Sequence, residues 1–492
     1  MGLYDSVMDF ACAALWPFRG CFSREASFMW WATSVLGTLA RTDDLGVTSI
    51  VRALGLDDDR SYESLLQVFR SDAADVGELW GRWVRVVGSL ADLVEVNGRL
   101  LLPSDGCKVV KEGALMPGVK RMHQESGDSS KPEYAFGHLF GCVGALARAE
   151  GGGTFCLPLC LDIQDGLRAL AGWEGSPFSG ESHVVQSLRR AWAAAEILGP
   201  AYMLADRYFL AATLLEALRE LNATRGGEPL LELVTRARSN CVAYEESPGR
   251  EPGTRGRPRK RGRAVALAPL FSDGAAFEAG EVELGGERVA AEWCVRDLLW
   301  GKGLYEPMRF VLLRCRGYET ILATTDRSLS ARQVAEAYFM RFGIECAFRS
   351  MKQDVSGFAY RFWTKACPEL DRFSRSGDPD PLLGVDGPRE RERVMSCALA
   401  IHRFVQVCAV AVGIAMLLAC RHRVGGALDS ALYRRRGGRA PAKVSERTVL
   451  ECARRGALAW VFSRIGEGPG ARMAAFIRSH TPGGRQKRPA RR

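Results

Sequence analysis

The chain has 492 residues, enough for two or three domains and a sizeable buried core, and its 47% hydrophobic and 25% charged residues are ordinary for a globular protein. The net charge of +10 is uneven: residues 421–492 hold 18 Lys or Arg against 4 Asp or Glu, a balance of +14 that leaves −4 for residues 1–420. Such a basic tail suits a polyanionic partner, nucleic acid foremost, while fifteen cysteines without a CxxC pair argue against a disulfide frame or zinc site and for reduced, buried thiols in a cytosolic protein. Asp5 and Asp9 stand where a secretion signal needs positive charge, so none is expected.

Residues 24–98 read as helices. Within them Leu45–Leu56 and Asp57–Ser71 are two short helices joined by an acidic turn, compatible with a helix-turn-helix or with a plain helical bundle. From Gly98 the pattern changes. Arg99–Pro103 is a short apolar strand that ends at Ser104, Asp105 and Gly106, and Tyr134–Leu146 and Thr154–Leu161 are two more, with the glycines at 151–153 as a hairpin turn. His183–Leu198 is a helix broken by Pro200, and Ala201–Ala205 is a strand running into Asp206, followed by a helix through Leu221. The order strand, strand, strand, helix, strand is that of a ribonuclease H-like fold, in which the first and fourth strands lie side by side and carboxylates at their ends meet. Asp105 stands 101 residues before Asp206, which is room for that order, whereas Asp162 stands only 44 before it. Asp162 and Asp165 are therefore expected as loop or capping residues.

Leu230–Arg238 reads as a fifth strand, whose Arg236 and Arg238 are either phosphate contacts at the edge of a site or ordinary exposed arginines. The run 251–263, with six cations among Gly and Pro, cannot form a packed core; its RGRPRK stretch, carrying Arg257 and Arg259, resembles an AT-hook, the plainer reading being a solvated basic linker. Ala264–Phe271, Glu281–Ala290, Met308–Cys315 and Glu319–Thr324 read as strands of an inserted β-domain, with Trp293 and Trp300 as buried core residues. Tyr338–Lys352 reads as one amphipathic helix. At about 100° per residue, Tyr338, Arg341, Glu345, Arg349 and Lys352 fall within a sector of roughly 80°, opposite the apolar Ile344, Ala347 and Met351. The aromatic and basic stretch Gly357–Lys365 reads as a packed edge or a segment lying along DNA. After a charged loop comes the apolar helix Val394–Cys420, whose uncharged run of 17 residues from Phe404 is short of a membrane span and is placed against the core.

The spacing Tyr338, two residues, Arg341, three residues, Glu345, six residues, Lys352 resembles the YREK signature of DDE transposases of insertion-sequence family four. The stretch after Ala205, Asp206 to Phe209, is similar to a DRYF-like segment of such proteins, although Gly106 and Cys107 stand where many relatives follow the first Asp with an acidic or hydroxyl residue and Thr. The resemblance implies an α/β protein: a helical DNA-binding domain over 1–97, the first part of a ribonuclease H-like core over 98–240, a basic linker and inserted β-domain over 241–326, the catalytic helix and core helices over 327–420, and a basic extension over 421–492. It implies Asp105, Asp206 and Glu345 as ligands of two Mg²⁺ ions, with Mn²⁺ as substitute, and Tyr338, Arg341 and Lys352 on DNA phosphates; Arg349, on the same helix face, is a further candidate DNA contact. The activity implied is cutting of double-stranded DNA at terminal inverted repeats and joining to target DNA, by a homodimer at the nucleoid of a prokaryotic cytoplasm. A transposase-derived, catalytically silent DNA-binding protein is the alternative, motivated by Gly106 and Cys107.

Overall fold

Helices build both ends of the chain and strands its middle, because the apolar residues recur at helical spacing at the ends and in runs or alternation between them. The structure is a computed structural model and describes residues 3–56, 58–123, 133–249, 259–272, 277–373, 378–421 and 444–482. The first helices are α1 (Leu3–Leu15), α2 (Glu25–Ala40), α3 (Val47–Ala53), α4 (Asp58–Arg70) and α5 (Val76–Leu90). Asp75 caps α5, its carboxylate accepting from the Glu78 N–H at 2.8 Å. Gly37 lets α3 lie close on α2, since a Cβ there would stand 2.4 Å from Ile50 Cγ2. Of the residues of α3 only Arg52 is exposed, so the expected two-helix unit is packed as part of a bundle.

The sheet begins with β1 (Glu95–Val96), β2 (Arg99–Val110), β3 (Lys120–His123), β4 (Tyr134–Arg148) and β5 (Thr154–Ile163). After α6 (Arg168–Ala171) and α7 (His183–Leu198) come β6 (Ala201–Leu204), α8 (Ala212–Ala223) and β7 (Leu231–Arg236). β2 pairs antiparallel with β4, which pairs antiparallel with β5, and on its other side β2 pairs parallel with β6, itself parallel to β7. The expected strand Arg99–Pro103 runs on to Val110. Its parallel pairing with β6 stops at Pro103 opposite Leu204, while its antiparallel pairing with β4 continues to Val110 opposite Gly137. Asp105 therefore lies inside a strand, just where one neighbour falls away.

Strands β8 (Val242–Tyr244), β9 (Ala264–Ala266), β10 (Glu278–Leu284), β11 (Glu287–Trp300), β12 (Glu306–Cys315) and β13 (Tyr318–Thr324) extend this sheet, β13 bonding antiparallel to the free edge of β7 with Leu322 opposite Arg236. The expected strand Glu281–Ala290 is instead the tip of the hairpin β10–β11. It turns at Gly285 and Gly286, whose φ of 62° and 88° favour glycine and suit a tight hairpin. The expected strand Ala264–Phe271 ends at Ala266, where a short 3₁₀ turn begins with Pro269 near its start.

The chain returns through α9 (Ala331–Met340), α10 (Gly343–Arg349), a π turn over Ser350–Asp354 and the 33-residue α11 (Pro388–Cys420), then two last helices, Glu446–Ser463 and Pro469–Ser479. Helix α11 is long and apolar enough to cross a membrane, yet 89% of its most apolar window is buried inside the fold. It packs on β5, α2, α4 and helix Glu446–Ser463, as a core helix does, and so joins the two ends of the chain in one hydrophobic core. All fifteen cysteines are free thiols, and only Cys346 among them is less than buried.

Candidate active site

The three expected carboxylates come from two places in the sheet and one helix. Asp105 projects from β2, its Oδ2 2.5 Å from Nη1 of Arg341. Asp206 follows β6; its Oδ1 accepts from the Tyr208 N–H at 3.0 Å and its carbonyl accepts from Thr235 Oγ1 at 2.7 Å, which ties the loop to β7. Glu345 lies in the first turn of α10. The expected uninterrupted helix from Tyr338 is broken. The N–H groups of Arg341, Phe342, Ile344 and Glu345 reach back three residues, to Tyr338, Phe339, Arg341 and Phe342 at 3.0–3.2 Å, which is a 3₁₀ tightening between α9 and α10. Three residues per turn set Arg341 above Tyr338, and the guanidinium lies 5.9 Å from that ring. Gly343 at the break allows the backbone onto the sheet, since a Cβ there would stand 3.1 Å from Leu146 Cδ2 and 3.2 Å from Cys156 Cβ.

The carboxylates share one electrostatic field. Burial and then the Asp105 charge raise the pKa of Asp206, with the Tyr208 N–H and Arg341 opposing. Burial and then the Asp105 charge likewise raise that of Glu345, with Arg341 and Lys352 opposing. Lys352 stands beside Cys107 as well, whose thiol burial pushes up and Lys352 pulls down. Three carboxylates are the hard oxygen donors that Mg²⁺ takes, and each raised pKa marks negative charge that a divalent cation would relieve. The donor set therefore fits such an ion in kind. Its spacing is not preset: among the described residues no group of three His, Cys, Asp or Glu is gathered closely enough to hold a metal, and Arg341 neutralises Asp105.

The other expected residues divide. Arg349 and Lys352 are exposed, whereas Tyr338 is 9% exposed, with its ring under Arg341. Arg238 is exposed on the Asp206 side, its guanidinium 5.4 Å from the Tyr208 ring, and Arg236 is half-buried at the end of β7. Arg259 is exposed ahead of β9 at the far end of the sheet, and Arg257, with most of the AT-hook-like stretch, lies outside the described residues. Trp293 and Trp300 are half-buried; Trp293 lies across Gly280 and donates to Glu278 at 3.2 Å.

Asp162 is neither a loop nor a capping residue. It sits within β5, 7% exposed, with Arg190 Nε at 2.5 Å and His402 Nε2 at 2.6 Å. Burial would raise its pKa, but Arg190 and His402 hold it well below the usual carboxylate range. Asp165 is in a loop, paired with Lys120 and accepting from the Gly166 N–H at 2.9 Å. Two further arginines position the site. Arg41, 1% exposed at the end of α2, donates to the carbonyls of Val355 at 3.0 Å and Ser356 at 3.0 Å, and Arg454 donates to the carbonyls of Arg41 and Asp354. They hold the chain immediately after Lys352. No local signal marks them: besides the Gly46 carbonyl nearby, the carbonyls Arg41 grips are more than 300 residues away in sequence. No protein-family model matches the chain, and no characterised protein matches it closely enough to count as a relative.

Proposed function

We propose that the protein is a DDE-type transposase that cuts DNA at the ends of its element and joins them to target DNA. The observation that carries the reading is that Asp105, Asp206 and Glu345, far apart in sequence, share one field with Arg341 and Lys352 at the point where β2 loses its parallel neighbour. A β2 strand flanked by the antiparallel β4–β5 hairpin on one side and by parallel β6 and β7 on the other supports a ribonuclease H-like core for this site. Asp105, Asp206 and Glu345 would hold the divalent ions, which when bound activate the attacking oxygen and stabilise the leaving one. Arg341 would move from Asp105 toward the scissile phosphate as the carboxylates fill, and Lys352 and Arg349 would fix the flanking phosphates by charge. The Thr235 hydroxyl, donating to the Asp206 carbonyl, ties the loop that carries this carboxylate to β7.

A catalytically silent DNA-binding protein is the second reading, favoured by the Asp105–Arg341 pair, which already neutralises the first acid. One experiment separates them: excision from a plasmid carrying the gene's native flanking DNA with Mg²⁺, by wild type and by Glu345→Gln. Excision by wild type alone is the expected result. Excision by both would sink the assignment of Glu345, and binding of the flanks without cutting by either would establish the silent reading.

A further inference from the structure

Beyond Asp105, β2 continues to Val110 and a loop to Met116, and the chain that follows Lys352 comes back along that loop, the N–H groups of Thr364 and Leu370 donating to the carbonyls of Leu115 and Ala114 at 3.1 and 2.9 Å. Between them runs a groove of about 980 Å³ that reaches Lys352 and is lined by Lys108, Lys111, Arg361 and Trp363, with Asp44 and Glu112 as its acidic residues. Cations outnumber carboxylates in it, so it favours a polyanion. Burial alternates along its wall. Tyr360 and Phe362 point in, while Arg361, Trp363 and Lys365 point out, Trp363 with 58% of its surface exposed.

The inward pair makes the outward row rigid. His138 is neutral, burial having pushed its pKa down to about 4, and its Nε2–H donates to the Pro117 carbonyl at 2.9 Å, which leaves Nδ1 to accept from the Tyr360 hydroxyl at 2.6 Å. Lys111 lies 3.8 Å from the Tyr360 ring centroid, and Phe362 packs 5.9 Å from Phe69 and 6.1 Å from Phe404. Arg361 and Trp363 are thus presented two residues apart, about 6.6 Å in extended chain, a cation beside an indole face, with Lys108 and Lys352 lining the same groove. That is an arrangement an extended nucleic-acid strand matches, with phosphates on the cations and a base on the indole. A duplex keeps its base faces stacked and offers nothing to Trp363.

Resting on the reading of the site given above, we propose that this groove is a track for single-stranded DNA, with Trp363 as the stacking platform for one base and Arg361, Lys108 and Lys352 on its phosphates. The strand end leaving the carboxylates passes Lys352 and enters the groove. The test uses the full chain without divalent metal and a short oligothymidine carrying one 2-aminopurine, titrated against wild type, Trp363→Ala and Trp363→Phe. The native flanking duplex is titrated in parallel. Trp363→Ala should bind the single strand about tenfold more weakly and lose the quenching, Trp363→Phe should recover most of both, and duplex affinity should change less than about twofold. Because Trp363 is exposed, neither substitution threatens the fold, which circular dichroism checks. Unchanged single-strand binding by Trp363→Ala, with the duplex still bound, would overturn the track alone. A wild type that binds neither DNA would overturn the reading of the site with it.

Discussion

Asp105 and Asp162 stand on strands separated only by β4, one opposite Cys142 and the other opposite Gly141, and their surroundings are opposites. Asp162 is enclosed with an arginine and a histidine that satisfy both its oxygens, so its charge is stabilised and its pKa falls. Asp105 faces two other carboxylates across an open edge, and the two it faces are pushed toward the neutral form. A carboxylate with all its partners inside the protein is a fastener. Carboxylates whose pKa values stay raised despite Arg341 and Lys352 beside them are a site open to a cation that arrives.

That contrast can be broken at several points. The largest effect belongs to the open site: on the proposed function, Glu345→Gln should lower Mg²⁺-dependent cleavage of end DNA by about a thousandfold or more without lowering the melting temperature, read by a gel assay beside thermal unfolding. The closed site should behave inversely. Asp162→Ala leaves Arg190 and His402 without their shared acceptor and should cost about 3–5 kcal/mol in urea unfolding. Because the folded pKa of Asp162 is depressed, its contribution is present above the ordinary carboxylate range and is lost as pH falls through and below that range, so the wild type should lose more stability on acidification than the variant. Equal acid sensitivity of the two would remove Asp162 as the fastener.

Arg41→Ala should cost about 3 kcal/mol, since it frees the buried carbonyls of Val355 and Ser356, and it should also slow cleavage by releasing the segment after Lys352. A variant as unstable as expected but fully active would show that this clamp does not position the site. The smallest effect is a gain. Asp206→Asn removes a charge that the fold disfavours and should stabilise the metal-free protein by about 0.5–2 kcal/mol near neutral pH. With its folded pKa raised, Asp206 makes the native state hold its proton longer than the unfolded chain, so metal-free stability falls as pH rises from the ordinary carboxylate value through the folded one. The asparagine variant should flatten that slope, and Mg²⁺ should raise the melting temperature of wild type more than that of the variant.

Much of the half that carries the candidate site was legible. The strands around Asp105 and Asp206, helix α7 with its bounds and the hairpin at Gly152 and Gly153 follow from apolar runs, a helix-breaking proline and glycines that tolerate φ of 92° and 76°. Errors fell where a local pattern has two solutions. Glu281–Ala290 looks like one alternating strand because the two arms of a tight hairpin alternate in step, and only Gly285 and Gly286 betray the turn. The helix from Tyr338 looks continuous because residue spacing cannot register a change from 3.6 to 3 residues per turn. Asp162 looks like a loop residue because Arg190 and His402, which permit its burial, lie 28 and 240 positions away.

By itself, then, the sequence determined most of the strands and helices around the candidate site, that α11 would seek the interior, and which acids could converge if the strand order followed its simplest course. Those properties are set by each segment's own periodicity and breakers, which act over a few residues. Only the tertiary structure decided that β2 outruns its parallel neighbour and leaves Asp105 at an open edge, that α9 and α10 part at Gly343, and that Arg41 and Arg454 grip the chain beyond Lys352. Those are set by pairings between residues hundreds of positions apart, which become favourable only once the sheet and the helices at the two ends have packed into one core.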